Sequence, residues 1–165
     1  MKNFEPEKKL SISLKKQEMI LFEGEKAVYR FSVSTAKAGA GCRQGSGCTP
    51  TGRHIVRAKI GAGEDPLAVF VGRRPTGEIW SEALHQRFPE RDWILGRILW
   101  LSGCEVGHNR LGDVDTMRRF IYIHGTAPLE PMGVPLSHGC IRMRCEEVVT
   151  LFDWAPVGLA VEIMP

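Results

Sequence analysis

The sequence lacks the features that mark membrane and secreted proteins. No apolar run among its 165 residues is long enough to span a bilayer. The first ten residues, MKNFEPEKKL, carry charges but have no apolar core like that of a secretory signal. We therefore expect a cytoplasmic protein, or a periplasmic one if the start shown is a trimmed N-terminus.

A strong excess of one charge is also missing. The net charge is +3 and the pI is about 8.7. This charge is too weak and too dispersed to indicate nucleic-acid binding, so we expect no nucleic-acid partner. The pairs Arg73-Arg74 and Arg118-Arg119 are interpreted as solvated faces, with the steering of an anionic substrate as the weaker alternative.

An even set of cysteines is absent as well. Five cysteines fit poorly with a complete disulfide framework and better with free thiols in a reducing compartment. Two of them lie in a glycine-rich segment, residues 35–53, which lacks the spacing of a phosphate-binding loop. We interpret Cys42, Cys48, Cys104 and Cys145 as buried or loop thiols.

Short strands dominate the pattern, because long helical periodicity is rare and the chain has 18 glycines and 10 prolines. Alternating or continuous apolar residues predict strands at 10–14, 19–22, 27–34, 54–60, 68–71, 97–101 and 159–163. Helices are predicted at 81–88, capped by Ser81, and at 145–154. The sequence therefore predicts a polar tail, residues 1–9, followed by a single mainly β domain, residues 10–165. We expect this domain to be sandwich- or barrel-like, with one main helix.

The chemistry is concentrated in residues 120–144, FIYIHGTAPLEPMGVPLSHGCIRMR. The thiolate is the nucleophilic form of cysteine, and a histidine within reach, such as His124, can take the proton of Cys140. Gly139 allows a substrate close to the sulfur, and the backbone N–H groups of residues 139–141 suit a developing oxyanion. The planar guanidinium of Arg142 suits a carboxylate. The segment thus predicts a cysteine-nucleophile site.

Metal binding is the rival interpretation of the same residues. Zinc could take ligands from His124, His138, Cys140 and Cys145, but their spacing matches no familiar zinc motif. A weaker set of candidate ligands is Cys42, Cys48, Cys104 and His108. The histidines at positions 54, 85 and 108 are interpreted as surface or packing residues. We expect neither a metal nor another cofactor.

IHGT followed by SHGCIRM resembles the signature of the L,D-transpeptidase catalytic domain, also called the YkuD domain. The strings FSVSTAKAG, TPTGRHIV and DTMRRFIYIHGT extend the resemblance over roughly residues 10–165. It implies a mostly β fold and a cysteine acyl-transfer enzyme that acts on peptidoglycan stem peptides or soluble muropeptides.

The resemblance also implies roles for individual residues. Cys140 is the nucleophile, and His124 is the base, with its other ring nitrogen oriented by a backbone carbonyl. His138 and Gly139 shape the acyl pocket. The substrate-binding set consists of Ser137, which supports the turn, Gly125, and Arg142, which holds the loop or a substrate carboxylate. The interval between His124 and Ser137 is somewhat short for the family pattern.

The acceptor of the acyl group divides the functional hypotheses. With water, the enzyme is an L,D-carboxypeptidase that releases terminal D-Ala from tetrapeptides in muropeptide recycling, which we favour because no export signal is seen. With an amine, it is an L,D-transpeptidase that forms 3-3 cross-links. A non-catalytic muropeptide-binding module and a secreted toxin with the same chemistry are further alternatives. The sequence does not specify the oligomeric state.

Overall fold

The computed structural model describes residues 5–165 of the chain. The strands of this part are β1 Lys8–Ser13, β2 Glu18–Glu23, β3 Lys26–Ser32, β4 Gly52–Ile60, β5 Ala68–Val71, β6 Arg74–Ile79, β7 Ile94–Gly103, β8 Tyr122–Gly125, β9 Ile141–Met143 and β10 Ala160–Met164. The helices are α1 Glu82–Arg87 and α2 Cys145–Trp154, with a short 3-10 turn at Gly112–Val114. Neither α-helix of this part has the length and apolarity needed to cross a membrane.

Hydrogen bonds join the ten strands into one mixed sheet. The main path runs β3-β2-β1-β10-β4-β7-β5-β6, and β8 and β9 branch from β7. The pairs β1–β10 and β8–β9 are parallel, and the other neighbours are antiparallel. The long strand β7 therefore connects the N-terminal half of the sheet to the branch that carries the cysteine motif.

The first two strands form because their apolar residues alternate along the chain. Leu10 and Ile12 of β1 pair with Leu21 and Met19 of β2, and all four side chains are buried in the main core. Each fully buried aliphatic side chain of this size stabilises the fold by about 1.5–3 kcal/mol. This hairpin is one wall of the core.

Helix α2 covers the same core. Its buried residues Cys145, Val148, Leu151 and Phe152 recur at the three- and four-residue intervals of one helix face. Pro156 follows the C-cap Ala155 and prevents the helix from continuing. The helix packs on β7 and β8 and so helps to position the branch strands over the core.

The branch strands have two chemically different faces. Ile123 of β8 and Ile141 of β9 are register partners and point into the main core beneath α2. Side chains alternate along a strand, so His124 and Arg142, the next register pair, point to the opposite face. The sheet thus separates the polar pair from the core.

The mainly β class with one main helix is confirmed, as are helix α2 at its predicted bounds and the Ser81 cap of α1. The predicted tail, residues 1–9, lies partly outside the described residues, and its last two residues belong to β1. Strand β6 was not predicted because its sequence, RPTGEI, contains proline and glycine, but β6 ends the sheet path, where an edge strand tolerates proline. Strand β9 has only three residues and depends on β8.

Candidate active site

His124 is held at the centre of β8 with one ring nitrogen engaged. The residue is 1% exposed, and its Nδ1 lies 2.7 Å from the carbonyl oxygen of Gly125. A carbonyl can only accept a hydrogen bond, so Nδ1 carries the proton and Nε2 is left as the basic nitrogen. Burial lowers the pKa of His124, which keeps the ring neutral at pH 7.

Cys140 lies at the end of the turn that enters β9. Its sulfur accepts a hydrogen bond from the backbone N–H of Tyr122 and donates one to the carbonyl oxygen of Phe120, both at 3.4 Å. Phe120 has a φ of +56°, in the left-handed region that costs a side-chain-bearing residue about 1–3 kcal/mol. This conformation accompanies the contact of its carbonyl with the thiol.

The thiol and the imidazole are neighbours without a direct bond. Within residues 5–165, no hydrogen bond joins Cys140 to His124. Burial raises the pKa of the Cys140 thiol to about 11, and the charge of Asp92 adds to the rise, while the charges of Arg142 and Arg119 oppose it. The resting pair is therefore a neutral thiol beside a neutral imidazole.

Ser137 organises the turn that presents Cys140. Its hydroxyl donates to the carbonyl oxygen of Cys140 at 2.6 Å and accepts from the N–H of Gly139 at 3.2 Å. Gly139 has a φ of +136°, which favours glycine over any L-residue. The N–H of Gly139 is thus engaged by Ser137, whereas the N–H of Cys140 has no partner within residues 5–165 and is the better candidate oxyanion donor.

The N-terminal part of the chain supports this turn from outside. Ser34 and Arg142 exchange two backbone hydrogen bonds of 2.9 Å, and the N–H of Ser137 donates to the carbonyl of Thr35. The hydroxyl of Thr49 donates to the carbonyl of Gly139 at 2.9 Å. The glycine-rich segment is therefore part of the framework of the site.

Most of the predicted residues meet around one cavity of about 250 Å³. It is lined by Asp92, Ile94, Arg119, Phe120, Ile121, Tyr122, His124, Ser137, His138, Cys140 and Arg142. His138 is exposed at its rim, and Gly139 is buried beneath the turn. Gly125 lies elsewhere: a Cβ there would come within 2.5 Å of the carbonyl oxygen of Leu95, so the residue permits close packing and its carbonyl holds His124. The described contacts of Gly125 are therefore with Leu95 and His124, and its place in the substrate-binding set stays a prediction.

Arg142 is committed to the protein itself. Its guanidinium pairs with Asp92 at 3.0 Å and donates to the carbonyl of Leu136 at 3.4 Å, and the residue is 8% exposed. Of its two predicted roles, these contacts support holding the loop. No feature of the sequence near Asp92 indicated that it belongs to the site.

Arg119 lines the cavity, contrary to its interpretation as a solvated residue. It is half-buried and donates to the carbonyl oxygens of Gly41 and Cys48 and to the hydroxyl of Ser46. The interpretation of Arg118 and Arg119 as one solvated pair therefore holds for the exposed Arg118 and is wrong for Arg119. The available signal was its position just before the apolar run that leads to His124.

The rival metal sites find no support from proximity. No three His, Cys, Asp or Glu side chains within residues 5–165 are grouped as metal ligands. Cys145 is buried in helix α2 and donates to the carbonyl of Thr126 at 3.3 Å. Cys42 lies near His108, with 3.8 Å between its Sγ and Nε2 of the histidine.

Two known proteins match part of this sequence. The chain is 41% identical over 46 residues to the Probable L,D-transpeptidase YbiS of Escherichia coli, a match to 28% of this chain and 15% of YbiS. It is 51% identical over 45 residues to YqjB of Bacillus subtilis, covering 27% of this chain and 26% of YqjB. The matches thus span only a minor part of these curated relatives.

The fold recurs in solved structures. L,D-transpeptidase 3 from Mycobacterium tuberculosis, in complex with a faropenem-derived adduct, aligns with a TM-score of 0.57 and 16% sequence identity. The alignment covers 97% of this chain and 61% of that one. At this identity the likeness establishes a shared fold. The family model described as the L,D-transpeptidase catalytic domain, YkuD, matches residues 7–163, and the chain therefore belongs to that family.

Proposed function

We propose that this protein is a cysteine-dependent L,D-carboxypeptidase that removes the terminal D-amino acid from a peptidoglycan tetrapeptide stem. One observation carries the proposal: Cys140 and His124, whose Nε2 is left basic, line the same small cavity. Family membership supports the acyl-transfer chemistry.

The reaction begins with a change of rotamer at Cys140. The thiol leaves the Phe120 carbonyl and turns toward His124, which takes the proton on Nε2. The thiolate attacks the carbonyl carbon of the scissile amide, and the N–H of Cys140 stabilises the oxyanion. The intermediate collapses to a thioester, and the departing amine takes its proton from the imidazolium.

Water completes the cycle. His124, neutral again, accepts a proton from a water molecule as its oxygen attacks the thioester carbonyl. Collapse of the second intermediate releases the tripeptide carboxylic acid and restores the protonated thiol. We take water as the acceptor because the cavity, of about 250 Å³ and partly open to solvent, admits a water molecule of about 30 Å³ more readily than a second stem peptide.

The deciding assay offers the purified protein a disaccharide-tetrapeptide and follows the products by mass spectrometry, with and without an added amine acceptor. We expect D-Ala and the tripeptide product in both conditions. A cross-linked dimer as the main product would instead identify a transpeptidase. Absence of any turnover, or full turnover by Cys140→Ala, would contradict acyl transfer.

We further propose soluble muropeptides as the substrates, as required for recycling. The same assay run on intact sacculi provides the comparison, and release of D-Ala from sacculi at an equal rate would contradict this choice. Fractionation of cells that produce the full-length protein tests the accompanying proposal of a cytoplasmic location.

A further inference from the structure

The guanidinium of Arg119 is a preorganised positive charge at the catalytic thiol. Three acceptors fix it: the carbonyl of Cys48 at 2.7 Å, the carbonyl of Gly41 at 3.2 Å and the hydroxyl of Ser46 at 3.4 Å. These contacts hold the planar group against the glycine-rich segment, while the side chain lines the cavity of Cys140. The group is therefore fixed before a substrate arrives.

The charge of Arg119 is not neutralised by the protein. The ion pairs within residues 5–165 are Arg30–Glu18, Arg91–Glu78 and Arg142–Asp92. A guanidinium has five N–H donors, of which these three contacts use three. Burial lowers the pKa of Arg119, but arginine remains protonated at any physiological pH. A half-buried cation with spare donors and no carboxylate partner is prepared for an external anion.

Arg142 provides the internal contrast. Both arginines line the cavity, but the charge of Arg142 is already matched by Asp92. Binding of a substrate carboxylate by Arg142 would have to compete with that pair. The same carboxylate would meet no such competitor at Arg119.

We propose that Arg119 binds the free terminal carboxylate of the peptide substrate and so restricts the enzyme to peptides that end one residue beyond the scissile bond. The inference rests on the proposed carboxypeptidase function and makes Arg119 its specificity-determining residue. Release of the terminal residue then removes the anchored carboxylate from the acyl-enzyme and opens that space to water.

The experiment compares a tetrapeptide substrate with its C-terminal amide, using the wild-type protein. Both peptides use the same thiol and the same base, so the ratio of their kcat/KM values cancels any effect on the nucleophile. Hydrogen bonds to charged groups lead us to expect a ratio of about 10- to 100-fold in favour of the acid, mostly in KM.

Three variants locate the source of that ratio. Arg119→Met should bring the ratio close to one, and Arg119→Lys should keep part of it, because a point charge remains. Arg118→Met is the matched control and should keep the wild-type ratio. The side chain of Arg118 is exposed, is next in sequence to Arg119 and lies outside the cavity. Thermal unfolding of each variant checks that it folds.

Several results would overturn the proposal. A wild-type ratio near one would do so, even if Arg119→Met does not fold, and so would an Arg119→Met variant that loses activity on both peptides equally. If the wild-type protein cleaves neither peptide, the proposed function fails separately. Calorimetric binding of the two peptides to Cys140→Ala then tests Arg119 alone, and equal affinities for acid and amide would overturn its role.

Discussion

Two regions of the molecule bring a thiol close to an imidazole. Sγ of Cys42 and Nε2 of His108 are 3.8 Å apart on the surface, whereas Cys140 and His124 line a partly open cavity without a direct hydrogen bond. Distance alone would select the first pair as the catalytic one. The hydrogen bonds of each histidine reverse that choice.

The decisive difference is which ring nitrogen is free. Nε2 of His108 faces Cys42, but the same atom lies 3.1 Å from the carbonyl oxygen of Thr51 and must carry a proton to bond there. Nδ1 of His124 bonds the carbonyl of Gly125, and its Nε2 has no hydrogen-bond partner within residues 5–165. His124 can therefore accept a proton from a thiol in its present tautomer, and His108 cannot.

Removing each sulfur gives the largest expected contrast. Cys140→Ser should lower D-Ala release at least about 1000-fold, because the hydroxyl is a much weaker nucleophile in this setting. Cys42→Ser should leave the rate within about twofold of wild type. The check is steady-state turnover of the tetrapeptide, and comparable losses in the two variants would remove the distinction between the regions.

Replacing each histidine comes next in size. His124→Gln should cost about 100- to 10,000-fold in kcat, the range for loss of a general base. His108→Gln should retain near wild-type kcat, since its nitrogen already bonds Thr51. A pH–rate profile of His124→Gln that keeps the wild-type acidic limb would contradict the assignment of the base.

His54 extends the comparison to a histidine with both nitrogens occupied. It is 1% exposed and bonds the Gly52 carbonyl and the Thr116 hydroxyl, and burial lowers its pKa to about 4 from 6.5. The unfolded chain therefore binds a proton in a pH range where the folded protein does not. The free energy of unfolding is therefore undiminished by His54 above pH 6.5, and it decreases as the pH falls toward 4, by at most about 3 kcal/mol.

Urea unfolding between pH 7 and pH 4 measures this dependence. His54→Gln, which cannot titrate, should flatten the curve in that window while lowering stability at pH 7. A mutant curve as steep as that of the wild type would show that other groups cause the acid sensitivity.

Thiol labelling gives the smallest of these contrasts, and the order in which Cys42 and Cys140 react should depend on the reagent. Because the pKa of Cys140 is about 11 against an ordinary 9.0, its thiolate fraction at neutral pH is about 100-fold lower than that of a free cysteine. Iodoacetamide should thus label Cys42 before Cys140 at pH 7. A penem should acylate Cys140 instead. Attack of the thiol on the carbonyl of the penem needs His124 as the base and the N–H of Cys140 as the oxyanion donor. Peptide mapping reads both outcomes, and penem adducts on Cys42 would contradict the second.

The sequence indicated much of the fold, for identifiable reasons. Strand β1 and helix α2 were predictable because the spacing of their apolar residues matches the side chains that are buried. These are Leu10 and Ile12 in β1, which alternate, and Val148 and Leu151 in α2, which have helical spacing. Cys140 and His124 lie in a short motif that a reader can recognise. Asp92 was not predictable and Arg119 had only its position before the apolar run as a signal, because their roles depend on contacts 50 and 71 residues away, at Arg142 and Cys48.

The backbone bonds between Ser34 and Arg142 have a consequence for how activity arises during folding. They join segments more than a hundred residues apart, so loop closure must bring most of the chain together before the turn of Cys140 is held. A growing chain exposes Ser34 long before Cys140 is synthesised. Recovery of turnover after dilution from denaturant should therefore coincide with the last phase of folding, and the nucleophile becomes competent only in a finished molecule.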